Sequence, residues 1–233
     1  MNSNLNKYAH NVFSQNGEDG IIQELIHRLQ ISKMGFCVEF GAWDGIKFSN
    51  TFNLVKNHGW QALYIEGDSQ KYELLMETAR QYPNIKTRNC WIEPNQDSIH
   101  CLDNVLLEEE VLMDFDLLSI DIDSCDLEVW QSMQSYLPKI VIIEINSSIP
   151  PGIRQTHMET GDGGSFTSTL ECAINKGYSL VCHTGNMIFV RNDLLPSVGL
   201  PESYYFYPES QFNWAWVPFR TKILKKFLRK LRS

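Results

Sequence analysis

The sequence predicts an α/β protein whose sheet is mostly parallel and ends in an antiparallel hairpin. Five short apolar segments between residues 35 and 146 alternate with segments of helical periodicity, which is typical of parallel strands with right-handed crossovers. The fifth segment, residues 140–146, is a continuous apolar run that suits the centre of a sheet. Two further strand-like segments, residues 178–183 and 187–190, are joined through Gly-Asn, which indicates a tight antiparallel turn.

The composition is that of a globular protein. The 233 residues, 43% hydrophobic and 21% charged, fit one large domain with appendages. No apolar run is long enough to cross a bilayer, and the first residues lack the apolar core of a signal peptide, so a cytosolic location is expected. The six cysteines form no C-x-x-C pair, which favours reduced, mostly buried thiols over a zinc site.

The charge is unevenly distributed along the chain. The net charge is −8, although residues 221–233 hold six basic side chains and no acid, so the body is acidic and nucleic acid is not expected as the main partner. The same tail places five apolar side chains on one helical stripe: Ile223, Leu224, Phe227, Leu228 and Leu231. This pattern predicts a helix that lies on an anionic membrane surface, or one that docks on the acidic body of its own chain or of a partner.

The predicted elements follow each other from residue 14 to the hairpin. Residues 14–29 have the spacing of an amphipathic helix, with Ser14 or Asn16 as its cap. The first two strands are residues 35–40 and 60–66. The other elements are helices at 48–59, 72–82, 127–136 and 166–176, a helical or irregular segment at 102–113, and strands at 85–92, 115–123 and 140–146.

A glycine turn ends the first strand, with the pattern Glu39-x-Gly41-x-x-x-Gly45. Gly41 allows a tight turn and the close approach of a ligand, because it has no Cβ. Ligands of open α/β sheets bind at this position, outside the carboxyl ends of the strands. Glu66 ends the second strand, where an acid offers two acceptor oxygens to the two vicinal hydroxyls of a ribose. The alternatives are a strand-to-helix turn without a ligand and an ordinary acidic turn.

Oxygen-bearing side chains also end the fourth and fifth strands. Asp121 and Asp123 follow the fourth strand, and Glu144 and Asn146 end the fifth. Because neighbouring parallel strands end at the same edge, we expect these groups to converge, and a hard divalent cation would relieve their repulsion. Alternatively, some of them cap the following helix or hold a substrate hydroxyl without a metal.

Two later segments could contribute to a site. Residues 147–165 form a long, glycine-rich loop, which in a compact domain is usually functional or disordered. It carries Arg154 and His157, and His157 is the candidate base at neutral pH, although a surface loop histidine is an equal alternative. Residues 194–218 are rich in Pro, Tyr, Phe and Trp and are expected to wrap the domain or to rim a substrate pocket.

The glycine turn, Glu66, Asp121 and the terminal hairpin together resemble class I S-adenosylmethionine-dependent methyltransferases, which have a Rossmann-like sheet. More narrowly, the chain resembles the FkbM-like O-methyltransferases of bacterial glycan gene sets. That likeness is carried by Ser14-Gln15-x-Gly17-Glu18-Asp19, Ser119-Ile120-Asp121-Ile122-Asp123 and Glu144-Ile145-Asn146-Ser147. The paired acids are also similar to those of metal-dependent O-methyltransferases.

The resemblance implies roles for individual residues. The methionine part of the cofactor would be held by Glu39, Gly41, Ala42, Trp43, Asp44 and Gly45, and Asp121 would also contact the cofactor. Glu66 would hold the ribose, Asn89, Cys90 and Trp91 would flank the adenine, and Gln15 and Glu18 would form part of a lid. Asp121, Asp123, Glu144 and Asn146 would bind Mg²⁺ or Mn²⁺, and Asp121 and His157 would be catalytic.

The resemblance also implies an activity and a division of the chain. The expected reaction is O-methylation of a sugar, glycan or glycan precursor. The division is residues 1–34, an N-terminal helical lid; 35–193, the Rossmann-like domain; 194–220, an aromatic extension; and 221–233, the basic tail helix. Two rivals remain: a glycosyltransferase that uses Asp121-x-Asp123 for metal and nucleotide, and a non-catalytic, membrane-associated module.

Overall fold

The computed structural model describes residues 4–218, which form a seven-stranded sheet with helices on both faces. The strands are β1 (Phe36–Phe40), β2 (Gln61–Glu66), β3 (Ile85–Asn89), β4 (Leu117–Ile120), β5 (Ile140–Glu144), β6 (Tyr178–His183) and β7 (Asn186–Arg191). The helices are α1 (Glu18–Arg28), α2 (Phe52–His58), α3 (Ser69–Gln81), α4 (Leu102–Glu108), α5 (Asp126–Ser132), α6 (His157–Thr160), α7 (Phe166–Asn175), α8 (Leu195–Val198) and α9 (Glu202–Phe206). Short 3₁₀ turns occur at Leu5–Tyr8, Asn192–Leu194, Pro208–Gln211 and Trp214–Trp216.

The strand order is β3-β2-β1-β4-β5-β7-β6. Strands β1 to β5 are parallel, whereas β7 pairs antiparallel with both β5 and β6. The predicted Rossmann-like sheet with a C-terminal antiparallel hairpin is therefore confirmed. In this order β1 and β4 are neighbours, so the turn after β1 and the acids after β4 lie side by side.

Apolar side chains cover both faces of the sheet, as parallel strands require. Alternate residues of β1 point to opposite layers: Val38 packs with α4, α5 and α7, while Cys37 packs with α1, α2 and α3. Strand β5, an interior strand between β4 and β7, is buried through Ile143, in agreement with its continuous apolar sequence. With both faces of the sheet covered, the strand ends remain open for a site.

Helix α1 begins later than the sequence predicts, and its predicted caps are wrong. Its N-cap is Gly17, with φ +95° and no side-chain cap. Residues 12–14 instead wrap around the carboxylate of Asp19, whose Oδ2 accepts three backbone N–H groups and the Ser14 hydroxyl, each at 2.8 Å. The N-terminal segment is thereby fixed beside the strand ends.

Several other elements are shorter than predicted, and in α2 and α5 side-chain hydrogen bonds divert the backbone. Helix α2 begins at Phe52 rather than near 48, since Ser49 and Thr51 hydrogen-bond to Glu39. Helix α5 ends at Ser132, after which the N–H groups of Gln134 and Ser135 donate to Asp103. The segment at 102–113 is helical only over Leu102–Glu108, and β3 stops at Asn89.

The aromatic segment after β7 lies on the body of the domain. Phe212 is buried, and Gln211 donates to the carbonyl of Leu180 in β6 at 2.8 Å. All six cysteines are free thiols, and five are buried. Within residues 4–218, no helix has the length and apolar character to span a membrane. The predicted tail helix at 221–233 lies outside the described residues.

Candidate active site at the carboxyl edge of the sheet

Two adjoining cavities lie at the carboxyl ends of the parallel strands. The first, the turn cavity, has a volume of about 410 Å³ and lies over the glycine turn after β1. The second, the loop cavity, has a volume of about 560 Å³ and is bounded by the loop after β5 and by Trp216. Six residues line both cavities: Gln15, Phe48, Asp121, Asp123, Ser124 and Glu144. A group in one cavity can therefore meet a group in the other beside these carboxylates.

The floor of the turn cavity requires a glycine. Gly41 has φ +80°, and a Cβ at this position would lie 1.6 Å from the carbonyl oxygen of Asp121. Its N–H and that of Ala42 donate to the carbonyl of Ile65 at 3.0 and 3.2 Å. The ends of β1, β2 and β4 are thus drawn together at the point that the sequence identified as a ligand-binding turn.

Glu66 lines the turn cavity and is held by backbone amides. Its Oε2 accepts the N–H of Trp43 and its Oε1 accepts the N–H of Asp68, both at 2.8 Å. Each carboxylate oxygen has a second lone pair, so both can accept one further hydrogen bond. The side chain is only 5% exposed, and this arrangement suits a pair of vicinal hydroxyls.

Glu39 also lines this cavity, but its carboxylate mainly organises the turn. Its Oε2 accepts the hydroxyls of Ser49, at 2.8 Å, and of Thr51. Burial raises the pKa of Glu39. The predicted neighbours Asp44 and Gly45 do not line the cavity, and Asp44 instead accepts the N–H groups of Ile46 and Lys47 at 2.9 and 2.7 Å.

The far wall of the turn cavity includes Cys90 and Trp91. Trp91 is 70% exposed, and its ring lies so close to Gly67 that a Cβ there would meet it at 2.4 Å. Asn89 does not line the cavity, because its amide donates to the carbonyls of Glu66 and Gly67 at 2.8 and 3.3 Å. It shapes the turn after β2 rather than facing a ligand.

Two lysines of the turn cavity were not identified from the sequence. Lys47 and Lys71 place their ammonium groups 4.4 and 5.3 Å from the centroid of the Trp43 ring. Their positions in the sequence could have indicated them, because Lys47 lies two residues after Gly45 and Lys71 lies in the first turn of α3. They supply positive charge to this cavity.

Three carboxylates meet where the two cavities join. Asp121, Asp123 and Glu144 each offer an oxygen within 4.8 Å of the others. Burial and mutual repulsion raise the pKa values of Asp121 and Glu144. Asp123 has φ +57°, a conformation uncommon for non-glycine residues but tolerated by aspartate. Asp126 holds this loop by accepting the N–H groups of Ile122 and Ser124, at 2.8 and 3.0 Å.

The donor set of this cluster fits a hard divalent cation. Among residues 4–218 no ion pair joins a lysine or arginine to any of the three carboxylates. Their repulsion can therefore be relieved by a shared proton or by a cation such as Mg²⁺, which prefers carboxylate oxygens. Asn146 lines the loop cavity, but its Oδ1 already accepts the N–H and hydroxyl of Ser148, at 3.2 and 2.6 Å.

Three other residues singled out in the sequence, Glu18, Arg154 and His157, line neither cavity. Glu18 is fully buried, and its two oxygens accept the Thr184 hydroxyl at 2.6 Å and the Asn16 N–H at 2.7 Å. It anchors the N-terminal segment, while Gln15 reaches both cavities. His157 lies on α6 and lines neither cavity, and Arg154 is exposed and paired with Glu171 at 2.9 Å.

Searches against known proteins give fold-level similarity only. No family model and no curated protein matches the chain. Among solved structures, a candidate sarcosine dimethylglycine methyltransferase from Galdieria sulphuraria is 15% identical, with 70% of this chain and 62% of that chain covered and a TM-score of 0.49. The CurJ carbon methyltransferase is 8% identical, with 74% and 52% covered and a TM-score of 0.48. The chain thus spans less than two thirds of either protein.

The N-terminal domain of EvdMO1, solved in the presence of SAH and D-fucose, is a third similar structure. It is 13% identical to this chain, with 76% of this chain and 82% of that domain covered and a TM-score of 0.47. Similarity at this level does not extend to a reaction or a substrate.

Proposed function

We propose that the protein is an S-adenosylmethionine-dependent O-methyltransferase that acts on a hydroxyl of a sugar, glycan or glycan precursor. One observation carries the proposal: the turn cavity, with Gly41 against Asp121 and Glu66 fixed on backbone amides, opens beside the carboxylates onto a second, polar cavity. Two ligands placed in the two cavities would meet there. Such an arrangement supports group transfer between a nucleoside cofactor and an acceptor.

The turn cavity offers suitable groups for each part of the cofactor. Glu66 would accept the ribose hydroxyls, Trp91 would flank the adenine, and the Gly41–Trp43 backbone would lie against the methionine part. Lys47 would add positive charge for a carboxylate. The bound cofactor supplies an electrophilic methyl group, and the protein's task is to orient an acceptor oxygen toward it.

The carboxylate cluster would prepare the acceptor. Asp121, Asp123 and Glu144 would hold a divalent cation, which lowers the pKa of a hydroxyl and fixes its direction. With no cation, the raised pKa values of Asp121 and Glu144 allow this pair to take up the acceptor's proton near neutral pH. We assign proton transfer to this pair rather than to His157, because His157 lines neither cavity.

Calorimetry with S-adenosylmethionine and S-adenosylhomocysteine tests the proposal, with Mg²⁺ present or removed by chelation. We expect micromolar binding to the wild-type protein, at least a tenfold loss in Glu66→Gln, and no change in the exposed α3 variant Glu77→Gln. UDP-glucose serves as the competing ligand. Binding of UDP-glucose without binding of either adenosyl compound would contradict the proposal and favour a glycosyltransferase that uses Asp121-x-Asp123.

Contact of residues 221–233 with an anionic membrane surface stays a prediction. Removing these residues distinguishes the two hypotheses, an enzyme and a recruitment module, because an enzyme should still bind S-adenosylhomocysteine with unchanged affinity. A module recruited by its tail should lose vesicle binding and show no such affinity in either form.

A further inference from the structure

The loop cavity has a lining of carboxylates and amides. The acidic lining residues are Asp121, Asp123, Asp126, Glu144 and Asp162, and the amide lining residues are Gln15, Asn16, Asn50, Asn146 and Asn186. Among the described residues that line it, none is a lysine, arginine or histidine. Carboxylate and amide oxygens accept hydrogen bonds from hydroxyls, whereas they repel anions. In the metal-free protein this lining carries negative charge, whereas a divalent cation at the carboxylate cluster would attract an anion.

The turn cavity differs, because Lys47 and Lys71 line it. Positive side chains are therefore placed on the cofactor side and are missing from the acceptor side within residues 4–218. Although acids also line the turn cavity, it offers two ammonium groups to pair with an anion, which the described lining of the loop cavity lacks.

Trp216 forms an aromatic wall of the loop cavity. It lies in the 3₁₀ turn Trp214–Trp216, and its indole lies against Gly185, where a Cβ would be 2.8 Å from Cζ2. Trp216 is 40% exposed and lines the cavity, whereas Trp214 is 45% exposed, packs edge-on against Phe212 at 5.3 Å and does not line it. The two tryptophans therefore provide a matched pair for an experiment.

A buried hydrogen-bond chain fixes this wall. His183 accepts the N–H of Asn213 at its Nδ1, at 2.9 Å, so its Nε2 carries the proton and donates to the Ser147 hydroxyl at 2.9 Å. That hydroxyl then donates to the carbonyl of Gly185 at 2.6 Å. The chain joins the segment carrying Trp216, the hairpin turn and the end of β5, so the indole is held in place before an acceptor binds.

We propose that the loop cavity selects an uncharged, hydroxylated ring whose apolar face lies on Trp216, and that it rejects rings carrying a carboxylate. The proposal rests on the proposed function, since it names the acceptor class of the same site. The hydroxyls of such a ring match the acceptor oxygens of the lining, and its C–H face matches the indole. In the metal-free protein, a ring carboxylate would instead meet the carboxylates of Asp121, Asp123 and Glu144, which form no ion pair with a lysine or arginine of residues 4–218.

Ligand-observed NMR titration in EDTA, with the protein saturated with S-adenosylhomocysteine, tests this selection. The probes are the methyl glycosides of glucose, galactose and mannose, each paired with the matching uronate. We expect at least one neutral glycoside to bind and its uronate to bind about tenfold more weakly. Trp216→Ala should weaken the neutral glycoside about fivefold, and Trp214→Ala should leave its dissociation constant within about twofold.

Three results would overturn the proposal: a uronate that binds as tightly as its neutral partner, no neutral glycoside bound, or equal losses in Trp216→Ala and Trp214→Ala. Binding of S-adenosylhomocysteine is measured first on each sample by calorimetry. If that binding is intact while selection is missing, only the acceptor proposal fails. If S-adenosylhomocysteine does not bind, the proposed function fails and the acceptor proposal fails with it.

Discussion

Glu66 shows how a single side chain is positioned before a ligand arrives. Its two oxygens already accept the N–H groups of Trp43 and Asp68, so its rotamer is fixed by the backbone of the two turns around it. A ligand hydroxyl then meets an oriented acceptor and does not have to order a flexible side chain. The sequence could predict Glu66 from its place at a strand end, but not these two amide contacts, because they depend on how the turns fold against each other.

At the same scale, the role proposed for Asp121 comes with a cost in stability. Burial beside Glu144 raises its pKa, so the folded state binds protons that the unfolded chain releases. Its ionised form is therefore unfavourable in the folded protein, and this cost appears as the pH rises above the ordinary carboxyl pKa of 3.8 and grows towards the raised value.

We predict that Asp121→Asn stabilises the metal-free protein at pH 8 and has little effect at pH 4.5. A gain of ~1 kcal/mol corresponds to a rise in Tm of about 2–4 °C for a chain of this size. Thermal unfolding in EDTA at the two pH values measures the effect, with the exposed Asp97→Asn as a control. An equal or lower Tm for Asp121→Asn at pH 8 would contradict the account.

At the scale of elements, the strand ends hold the site because their backbones approach so closely. The contact of Gly41 with the Asp121 carbonyl draws β1 and β4 together and sets the position of the acids after β4. The sequence predicted the strands, the antiparallel hairpin and the convergence of Asp121, Asp123 and Glu144, since these follow from apolar runs and from the neighbourhood of the fourth and fifth strands. It did not place His157 or Glu18, because loop paths depend on contacts distant in sequence.

Alanine substitutions at Gly41 and Gly59 separate two costs, the steric clash of an added Cβ and the strain of a positive φ. Both have positive φ, +80° and +73°, but a Cβ at Gly59 would meet nothing within 4 Å. We predict that Gly59→Ala costs about 1–2 kcal/mol of unfolding free energy. Gly41→Ala should cost roughly 4 kcal/mol or more, and it should also abolish S-adenosylhomocysteine binding. Urea denaturation and calorimetry measure both, and similar losses in the two variants would refute the role of the clash.

The buried histidine of β6, His183, makes the stability of the folded protein depend on pH. Burial lowers the pKa of His183 from 6.5 to about 4. Above pH 6.5 neither the folded nor the unfolded state is protonated at this residue, whereas below it only the unfolded chain takes up a proton, so its contribution to stability falls progressively towards pH 4.

We predict that the wild-type protein loses about 3 kcal/mol more stability than His183→Gln between pH 6.5 and pH 4. Because the carboxylates titrate in both proteins, their contribution to the pH dependence of stability cancels in the comparison. Chemical denaturation at half-unit pH intervals measures the difference in slope. Parallel curves for the two proteins would show that His183 is not held neutral by the fold.

At the scale of the whole molecule, segments from different parts of the chain enclose the two cavities. The N-terminal segment, the loop after β5 and the aromatic segment after β7 all reach the strand ends, so segments far apart in sequence close the same cavities. Composition and periodicity predicted the sheet, but the aromatic wall at Trp216 was only one of two expectations for its segment. That wall depends on the hairpin turn, which supplies Gly185 beneath the indole.

Ligand binding should stabilise the molecule as a whole. A ligand that binds only the folded state at 100 times its Kd adds about 2.7 kcal/mol. We predict that saturating Mg²⁺ raises the Tm of the wild-type protein and of Asp162→Asn, but not that of Asp123→Asn. Of the two substituted residues, Asp123 belongs to the carboxylate cluster and Asp162 does not. Differential scanning calorimetry measures these shifts, and an equal Mg²⁺ response in all three proteins would exclude this cluster as the cation site.

The most direct test of the central claim is a crystal structure of the protein with S-adenosylhomocysteine and Mg²⁺. We predict the nucleoside in the turn cavity, with its ribose hydroxyls within hydrogen-bond distance of the Glu66 carboxylate, and the cation on Asp121, Asp123 and Glu144. A nucleoside bound elsewhere, or a turn cavity that stays empty at saturating ligand, would contradict it.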